Sequence, residues 1–182
     1  MSSSTGNEIS RAGMDNATFT AALDGAKRGD GPAYRHLYRW LATDLVRYAA
    51  IRGTQDPKSV ADETLLRAFQ QIDRFNGDAQ AFRAWVFAVG RNLILDALRA
   101  QGAHVKIDES GSGVDVAGLD QLRRAFGPLS HDQRDVVLLR ILGRLSLQQV
   151  AVALDKPVTA VKALQRRALS RLQAQILAEV PA

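Results

Sequence analysis

The basic side chains that follow Pro157 could bind a polyanion through their positive charges. Lys162, Arg166 and Arg167 fall largely on one side of a predicted helix that Thr159 would cap. The opposite side carries the apolar residues of that helix, which are Val161, Leu164, Ala168 and Leu172. Ammonium and guanidinium groups arranged in this way can bind phosphates and base edges in a DNA groove. The alternative interpretation is a solvated basic face on an ordinary core helix.

Two shorter elements before that helix would have to position it. Ser130 with Gln133 is a capping-box signature, which predicts a helix start. Ser146 with Gln149 repeats the signature, and residues 155–157 then end that helix because proline lacks a backbone donor. A short helix, a tight turn and a longer basic helix form the helix-turn-helix pattern, whose last helix enters the major groove of DNA.

Composition narrows the class of protein. The 182 residues include 24 basic and 19 acidic groups, and the net charge of +5 favours a polyanionic partner. An aromatic content of 6% favours helices over sheets. The lack of cysteine excludes disulfides and thiolate chemistry. No apolar run is long enough for a membrane span, and the first residues lack the order of a secretion signal, so we expect a cytoplasmic protein that does not enter membranes.

Catalytic and metal-binding motifs find little support in the sequence. His36, His104 and His131 lie in separate segments, without the spacing of metal ligands. The sequence contains no glycine-rich phosphate loop, no HExxH and no GxSxG motif. We therefore expect a protein that is not an enzyme and that binds no metal and no cofactor.

Helical periodicity divides the chain into two parts. We predict an all-α fold of two small helical domains, residues 17–100 and residues 119–178, the second of which contains the helix-turn-helix. Residues 101–118 are rich in Gly, Ser and Asp and predict a flexible linker, and residues 1–16 predict a disordered tail. Residues 119–182 carry ten basic and five acidic groups, so the positive charge is concentrated beside the helix-turn-helix.

Three motifs resemble those of the extracytoplasmic-function (ECF) sigma factors of bacterial RNA polymerase. Residues 60–69, VADETLLRAF, are similar to the family's region-two helix LVQETFLRAW. Residues 75–96, FNGDAQAFRAWVFAVGRNLILD, resemble the FRGD and FRAWLYRIARNLALD motifs that follow it. Residues 157–172 resemble the region-four sequence PVGTVKSRLHRARARL. The order of the motifs and the linker between them fit this family, which keeps only these two domains.

The resemblance implies a promoter-specificity subunit that binds core RNA polymerase, recognises the minus-thirty-five and minus-ten promoter elements and helps to open the DNA. Asp62, Glu63 and Arg67 would bind the clamp helices of the β′ subunit. The residues implied for minus-ten DNA are Gln71, Phe75, Asn76, Asp78, Arg91 and Asn92. The residues implied for minus-thirty-five DNA are Thr159, Lys162, Ala163, Arg166 and Arg167. The β flap would be a second polymerase contact, and an anti-sigma factor is left open as a further partner.

The chemistry of two implied residues agrees with the roles that the resemblance gives them. The ring of Phe75 can stack on an unstacked base, which contributes about 1–3 kcal/mol per base, and Asn92 offers a donor and an acceptor to a base edge. Each role has an alternative. Phe75 could close the core of its domain, and Asn92 could cap a neighbouring turn of the chain. Trp85 is predicted to be a core residue rather than a DNA contact. Asp62 and Glu63 could only compensate the dipole at the start of their helix.

Departures from the family pattern keep other functions open. Lys58 and Ser59 replace an acidic pair, Asp62 replaces a glutamine, and Ala163 with Leu164 replaces Ser-Arg. The chain could therefore be a sigma-like adaptor that binds polymerase without selecting promoters. It could also be a stand-alone helix-turn-helix regulator whose first domain senses a ligand or dimerises. Base preference cannot be transferred from relatives across these changes.

Overall fold

The computed structural model describes residues 14–101 and 116–179. Within these residues the chain forms eight α-helices, one 3-10 helix and no β-strand, which confirms the all-α prediction. The elements in chain order are α1 (Asn16–Lys27), α2 (Gly31–Arg52), α3 (Pro57–Gln70), the 3-10 turn (Ile72–Arg74), α4 (Ala79–Gln101), α5 (Val116–Phe126), α6 (His131–Ile141), α7 (Leu147–Leu154) and α8 (Val158–Glu179). Most of the predicted tail and linker lies outside the described residues.

The ends of the predicted tail and linker differ from the structure. Helix α1 starts inside the predicted tail of residues 1–16, because Asp15 caps it by accepting a hydrogen bond from the backbone N–H of Thr18 at 2.9 Å. Helix α4 continues to Gln101, and α5 begins at Val116, so helix enters the predicted linker of residues 101–118 from both sides.

The predicted cap of the last helix is wrong. Thr159 lies inside the first turn of α8, which already begins at Val158. The Pro157 carbonyl accepts hydrogen bonds from the backbone of Ala160 at 3.0 Å and of Val161 at 3.2 Å. Proline suits the position just before the first turn, since its missing N–H would have no intrahelical partner there.

Helices α1–α4 form the N-terminal half of the structure, residues 14–101. Helix α2 packs against α1, α3 and α4. The side chains at the centre of this half are fully buried and include Phe19, Leu37, Leu41, Phe82 and Phe87. At Gly90 an added Cβ would lie 3.2 Å from Leu45 Cδ2 and 3.2 Å from Thr64 Cγ2. The glycine therefore lets α4 approach α2 and α3 closely.

Helices α5–α8 form the C-terminal half, residues 116–179. Both predicted capping boxes are present, at Ser130 with Gln133 and at Ser146 with Gln149. Asp155 ends α7 in the left-handed region at φ 51°, which makes the tight turn into α8. Helix α6 packs against α7 and α8 over an apolar core of this half. The fully buried members of that core include Val136, Leu139, Leu145, Val150, Val161 and Ala168.

The two halves are in contact. Helix α4 packs against α7, and α2 packs against α5. On α6 four consecutive side chains, residues 136–139, are buried. A helix that is buried on all sides has neighbours on more than one face. No helix within residues 14–101 or 116–179 combines the length and the apolar character that a membrane crossing requires.

Enlarging Gly90 should destabilise the N-terminal half. Gly90→Leu adds a side chain where a single Cβ is already at 3.2 Å from two neighbours, and overpacking of this kind costs about 1–3 kcal/mol. Thermal unfolding followed by circular dichroism should show a lower midpoint. Ala21→Leu, at an exposed position of α1, is the matched control and should leave the midpoint nearly unchanged. Equal midpoints for the two variants would contradict the close-packing argument.

Candidate nucleic-acid interface

The basic face of α8 is open to solvent. Lys162, Arg166 and Arg167 are exposed, and none of them forms a salt bridge to another side chain in the described part of the chain. Val161 and Ala168 on the opposite side are fully buried, which confirms the predicted core face. Three basic groups without acidic partners are free to contact phosphates or base edges.

The start of α8 also presents the two uncharged residues implied by the resemblance. Thr159 is exposed in the first turn, and Ala163 is half-buried one turn later. Lys162 and Arg166 border an open groove of about 410 Å³, with Leu147 and Leu169 among its apolar walls. In a helix-turn-helix the N-terminal part of the last helix is the part that meets bases.

Helix α7 has a well-defined N-terminus and packs against α8. Ser146 Oγ accepts from the backbone N–H of Gln149 at 3.1 Å, and Gln149 Oε1 accepts from the backbone N–H of Ser146 at 2.8 Å. Lys156, in the turn between α7 and α8, lies 3.1 Å from Asp132 of α6. This ion pair connects the turn that precedes α8 to α6.

An aromatic cluster surrounds Phe75 at the end of the 3-10 turn. Its ring stacks on Trp85 with centroids 5.4 Å apart at 19°, and it meets Phe82 edge-on at 5.0 Å. Phe75 is half-buried, as is Trp85. Gly77 passes over the ring, since an added Cβ there would be 3.0 Å from Phe75 Cζ. Phe75 therefore packs against the core and also keeps part of its surface open. Its stacking on a base stays a prediction.

The other minus-ten candidates occupy different environments. Gln71, Asn76 and Asn92 are exposed, and Asn92 lies two turns beyond Trp85 on the same face of α4. The carboxylate of Asp78 accepts the backbone N–H of Ala81 at 2.7 Å and so caps α4. Asn92 and the exposed side of Trp85 therefore lie along one face of α4. The carboxylate of Asp78 is instead occupied as the cap of that helix.

Arg91 is not free in this structure. Its Nε donates to Asp135 Oδ2 of the C-terminal half at 3.1 Å, and the side chain is 15% exposed. The sequence contained a weak signal for this partner, since Asp135 is a charged residue directly before the apolar run of α6. Nothing in the local pattern showed that α4 would reach it.

Each predicted polymerase-binding residue of α3 has a bonded partner. Glu63 and Arg67 form an ion pair at 2.7 Å. Asp62 accepts hydrogen bonds from Lys58 Nζ at 2.5 Å and from Tyr38 OH at 2.7 Å. Lys58 thus stands where the family has an acidic residue, and Asp62 balances the positive charge of Lys58.

The surroundings of Asp62 favour its charged form. Burial alone would raise the pKa of Asp62, but the hydrogen bonds from Lys58 and Tyr38, with the charge of Lys58, lower it overall. The same bond raises the pKa of Tyr38. The side chain of Leu66, one turn further along α3, is 52% exposed. Sequence analysis did not identify Tyr38, because it lies off the inward face of α2 and its partner is 24 residues away.

The described residues contain no group of three or more His, Cys, Asp or Glu side chains placed to bind a metal ion. The described geometry consists of a basic helix, an aromatic cluster and a charged helix face.

Comparison with known proteins decides the family. Residues 32–104 match Sigma-70 region 2, and residues 125–174 match Sigma-70, region 4. The ECF RNA polymerase sigma factor SigL of Mycobacterium tuberculosis is 33% identical over 148 residues, which cover 74% of this chain and 83% of SigL. The chain belongs to the ECF RNA polymerase sigma factors. As a member of this family it is a promoter-specificity subunit that acts with core RNA polymerase on promoter DNA, which confirms the function that the motifs implied.

Other relatives extend the match over most of this sigma factor. ECF RNA polymerase sigma factor BldN of Streptomyces coelicolor is 28% identical over 181 residues, covering 88% of this chain and 67% of BldN. Among solved structures, CnrH in complex with the cytosolic domain of CnrY has a TM-score of 0.68 at 23% identity, over 90% of this chain and 99% of that chain. The sigma factor RpoE of Bartonella quintana, in complex with the anti-sigma factor NepR, has a TM-score of 0.66 at 19% identity, over 81% and 98% of the two chains. These two structures share the fold of this sigma factor.

Removing the tyrosine hydroxyl should change the titration of Asp62. In Tyr38→Phe the carboxylate loses one donor, so the pKa of Asp62 should rise toward the ordinary aspartate value. A pH titration of side-chain carboxyl signals by NMR measures this directly. The pKa of Asp56, lowered by hydrogen bonds from Ser59, should not change and serves as the internal control. An unaltered Asp62 titration would show that Tyr38 does not hold this carboxylate.

Proposed function

We propose that this sigma factor uses three separate surfaces for core polymerase, for melted minus-ten DNA and for duplex minus-thirty-five DNA. The observation that carries the proposal is the difference between two of these surfaces. Lys162, Arg166 and Arg167 of α8 are exposed and have no acidic partner among the residues that the structure describes, whereas the aromatic cluster at Phe75 lies in the other half of the chain. Duplex DNA is bound chiefly through phosphates and groove edges, and single strands through stacking. The two halves would act as the domains predicted at residues 17–100 and 119–178.

The minus-thirty-five surface would consist of one face of α8. Lys162, Arg166 and Arg167 would contact phosphates and base edges of the major groove. Thr159 and Ala163, near the start of the helix, would approach the bases more closely because their side chains are short. Loss of the family's basic group at position 164 would shift discrimination toward the remaining three basic residues.

The minus-ten surface would run from the loop after α3 along α4. A flipped base would stack on the open part of the Phe75 and Trp85 pair. Asn92 would hydrogen-bond an edge of a base further along the strand, and the exposed Gln71 and Asn76 would contact the same strand. Asp78 would contribute by capping α4. Arg91 would contribute to this surface only after it leaves Asp135.

Core polymerase would bind at α3 and at a second place on the C-terminal half. On α3, Asp62, Glu63 and Arg67 would face the β′ clamp helices, with the exposed apolar side chains of Tyr38 and Leu66 beside them. Buried aromatic and aliphatic anchors surrounded by polar groups are the usual centres of protein interfaces. The β flap would use exposed apolar surface of the C-terminal half, such as the 82% exposed Val152 of α7.

An anti-sigma factor is a further partner that we propose for this chain. RpoE, which shares its fold, was solved in complex with an anti-sigma factor. Helix α8 carries large apolar side chains that stay exposed within the described part of the chain: Leu169, Ile176 and Leu177 are 50%, 61% and 67% exposed. Apolar surface on a basic helix suits a partner that covers the helix when DNA is absent.

Neutralising the basic face of α8 should weaken duplex binding. Lys162→Ala, Arg166→Ala or Arg167→Ala should lower the affinity of the polymerase holoenzyme for promoter duplex. If a phosphate contact is lost, the slope of log affinity against log salt should fall by about one unit; if a base contact is lost, discrimination at one upstream base pair should relax. Filter binding at several salt concentrations measures both. Arg28→Ala makes the same charge change on the exposed end of α1 and should have little effect on the affinity. If it weakened duplex binding as much as the α8 variants do, the loss would come from net charge and not from a contact made by α8.

The aromatic cluster should matter only when the strands separate. Phe75→Leu keeps an apolar side chain against Phe82 but loses base stacking, which is worth about 1–3 kcal/mol. This variant and Asn92→Ala should bind duplex normally and give less open complex and less run-off transcript with core polymerase. Permanganate footprinting on linear and premelted promoters would separate the two possible roles of Phe75. A premelted promoter should restore the variant partly if the ring helps opening, and should not restore it if stacking selects the base.

The control for Phe75 is another half-buried phenylalanine. Phe69 on α3 packs against Tyr34 at 5.2 Å, away from the Phe75 cluster. Phe69→Leu should retain open-complex formation. If Phe75→Leu opened promoters as well as Phe69→Leu does, Phe75 would be a core residue without a role in the base pocket.

A further inference from the structure

Helix α1 contacts both ends of the loop that carries Phe75. This loop, residues 75–78, connects the 3-10 turn to α4, and we refer to it as the Phe75 loop. At its first residue the Phe75 carbonyl accepts a hydrogen bond from Lys27 Nζ at 2.8 Å, although the two residues are 48 positions apart in the sequence. Directly after its last residue the backbone N–H of Ala79 donates to Asn16 Oδ1 at 3.3 Å, from 63 positions away.

The residues of α1 that make these contacts lie on one face of that helix. Lys27 follows Asn16 by about three full turns, and Phe19 lies on the same face between them. Phe19 is fully buried, and its ring meets Phe75 edge-on at 6.5 Å and lies 5.4 Å from the ring of Phe82. Helix α1 also packs against the 3-10 turn and against α4. A single helix face therefore contacts the backbone at both ends of the loop and the ring that the loop carries.

The Phe75 loop has few backbone bonds of its own. The N–H of Phe75 donates to the Ile72 carbonyl at 3.0 Å, and the Asp78 carbonyl accepts from the N–H of Phe82 at 2.9 Å, so both bonds lie at the ends of the loop. Within the described residues, the N–H groups of positions 76–78 make no hydrogen bond to another backbone group. Holding such residues in one conformation costs entropy. The contacts from α1 are the interactions that can offset this cost.

Lys27 has two other possible roles. In the last turn of α1 its charge favours the helix dipole, and as an exposed cation it could contact a DNA phosphate. Neither role requires its ammonium to lie 2.8 Å from a carbonyl of another element. Neither role applies to the uncharged Asn16, which contacts the other end of the same loop. The two contacts together therefore indicate that α1 holds the loop.

We infer that Lys27 and Asn16 are positioning residues of the minus-ten surface, which fix the two ends of the Phe75 loop before a base arrives. This role rests on the proposed capture of a base at Phe75. A loop that is already ordered loses little further entropy on binding, so a base that fits is bound more tightly. A base that does not fit is rejected, because the loop does not rearrange around it. Lys27 and Asn16 thereby act on base selection without touching the base.

The order of the loop can be measured in the free full chain. Lys27→Met removes the ammonium and keeps the aliphatic stem, and Asn16→Ala removes the acceptor for the N–H of Ala79. Backbone nitrogen relaxation by NMR should show that the order parameters of residues 76–78 fall from about 0.85 toward about 0.6 in both variants. Lys27→Arg and Asn16→Asp retain a donor and an acceptor and should restore the order. Arg28→Met, the matched control, removes the neighbouring exposed charge at the end of α1 and should leave the loop unchanged.

The effect on base selection can be measured with the polymerase holoenzyme. The templates are a promoter selected by run-off transcription of genomic fragments and copies of it with single base-pair replacements in the minus-ten element. Lys27→Met should lower the ratio of open complex on the original and the replaced promoters about three- to tenfold, as expected for the loss of one net hydrogen bond, and Lys27→Arg should restore the ratio. In a Phe75→Leu chain, Lys27→Met should have no further effect, because the ring that Lys27 positions is missing.

Several results would overturn the positioning role. They are an unchanged loop order in Lys27→Met and Asn16→Ala, equal effects of Arg28→Met and Lys27→Met, and an effect of Lys27→Met that adds in full to that of Phe75→Leu. A salt slope of promoter binding that falls by about one unit in Lys27→Met would assign Lys27 to a phosphate instead. If Phe75→Leu opened every promoter as the parent chain does, the proposed base pocket would fail, and the order of the loop would then decide the role of α1 by itself.

Discussion

The position of the C-terminal half depends on one buried charge. A carboxylate removed from water is costly unless it is paired and hydrogen-bonded. Asp135 finds such partners across the boundary, in Tyr48, Arg52 and Arg91. Apolar surfaces can slide over one another at small cost, whereas a charge with three directional partners permits few positions. Asp135 with its partners therefore selects one register of α6 against α2 and α4.

The two halves also share apolar packing at this boundary. Their buried apolar side chains form one cluster, which includes Phe19, Phe82 and Phe87 of the N-terminal half and Val136 and Val161 of the C-terminal half. Helix α4 packs against α7, and α2 packs against α5. The boundary therefore combines apolar burial, which holds the halves together, with a buried charge, which specifies their geometry.

Several residues combine a structural partner with a proposed role in binding. Phe75 stacks on Trp85 and is still half-open, so stability and base capture would use different faces of one ring. Asp62 replaces the family's glutamine and is held by Lys58 and Tyr38. The changed residues of α3 thus have partners on their own helix or at its cap: Lys58 bonds to Asp62, and Ser59 bonds to Asp56.

The sequence by itself determined the features that depend on residues three or four positions apart. Both capping boxes, the turn at Asp155 and the apolar face of α8 were predicted because a helix start or a helix face is decided by neighbouring side chains and backbone groups. The order of the motifs also identified the family. Where two local signals competed, prediction was less accurate: Thr159 was expected to cap α8, but the Pro157 carbonyl already begins that helix.

Tertiary structure alone decided which distant side chains meet. The partners of Asp135 are 44 to 87 residues away, and those of Arg83 on the C-terminal half are about 60 residues away. No periodicity within one helix specifies such pairs, because they result from how whole helices pack and from the cost of leaving a charge or a carbonyl unpaired in the interior. For this reason Arg91 could be placed on the predicted DNA surface from its motif, while its engagement by Asp135 became visible only when α4 and α6 were brought together.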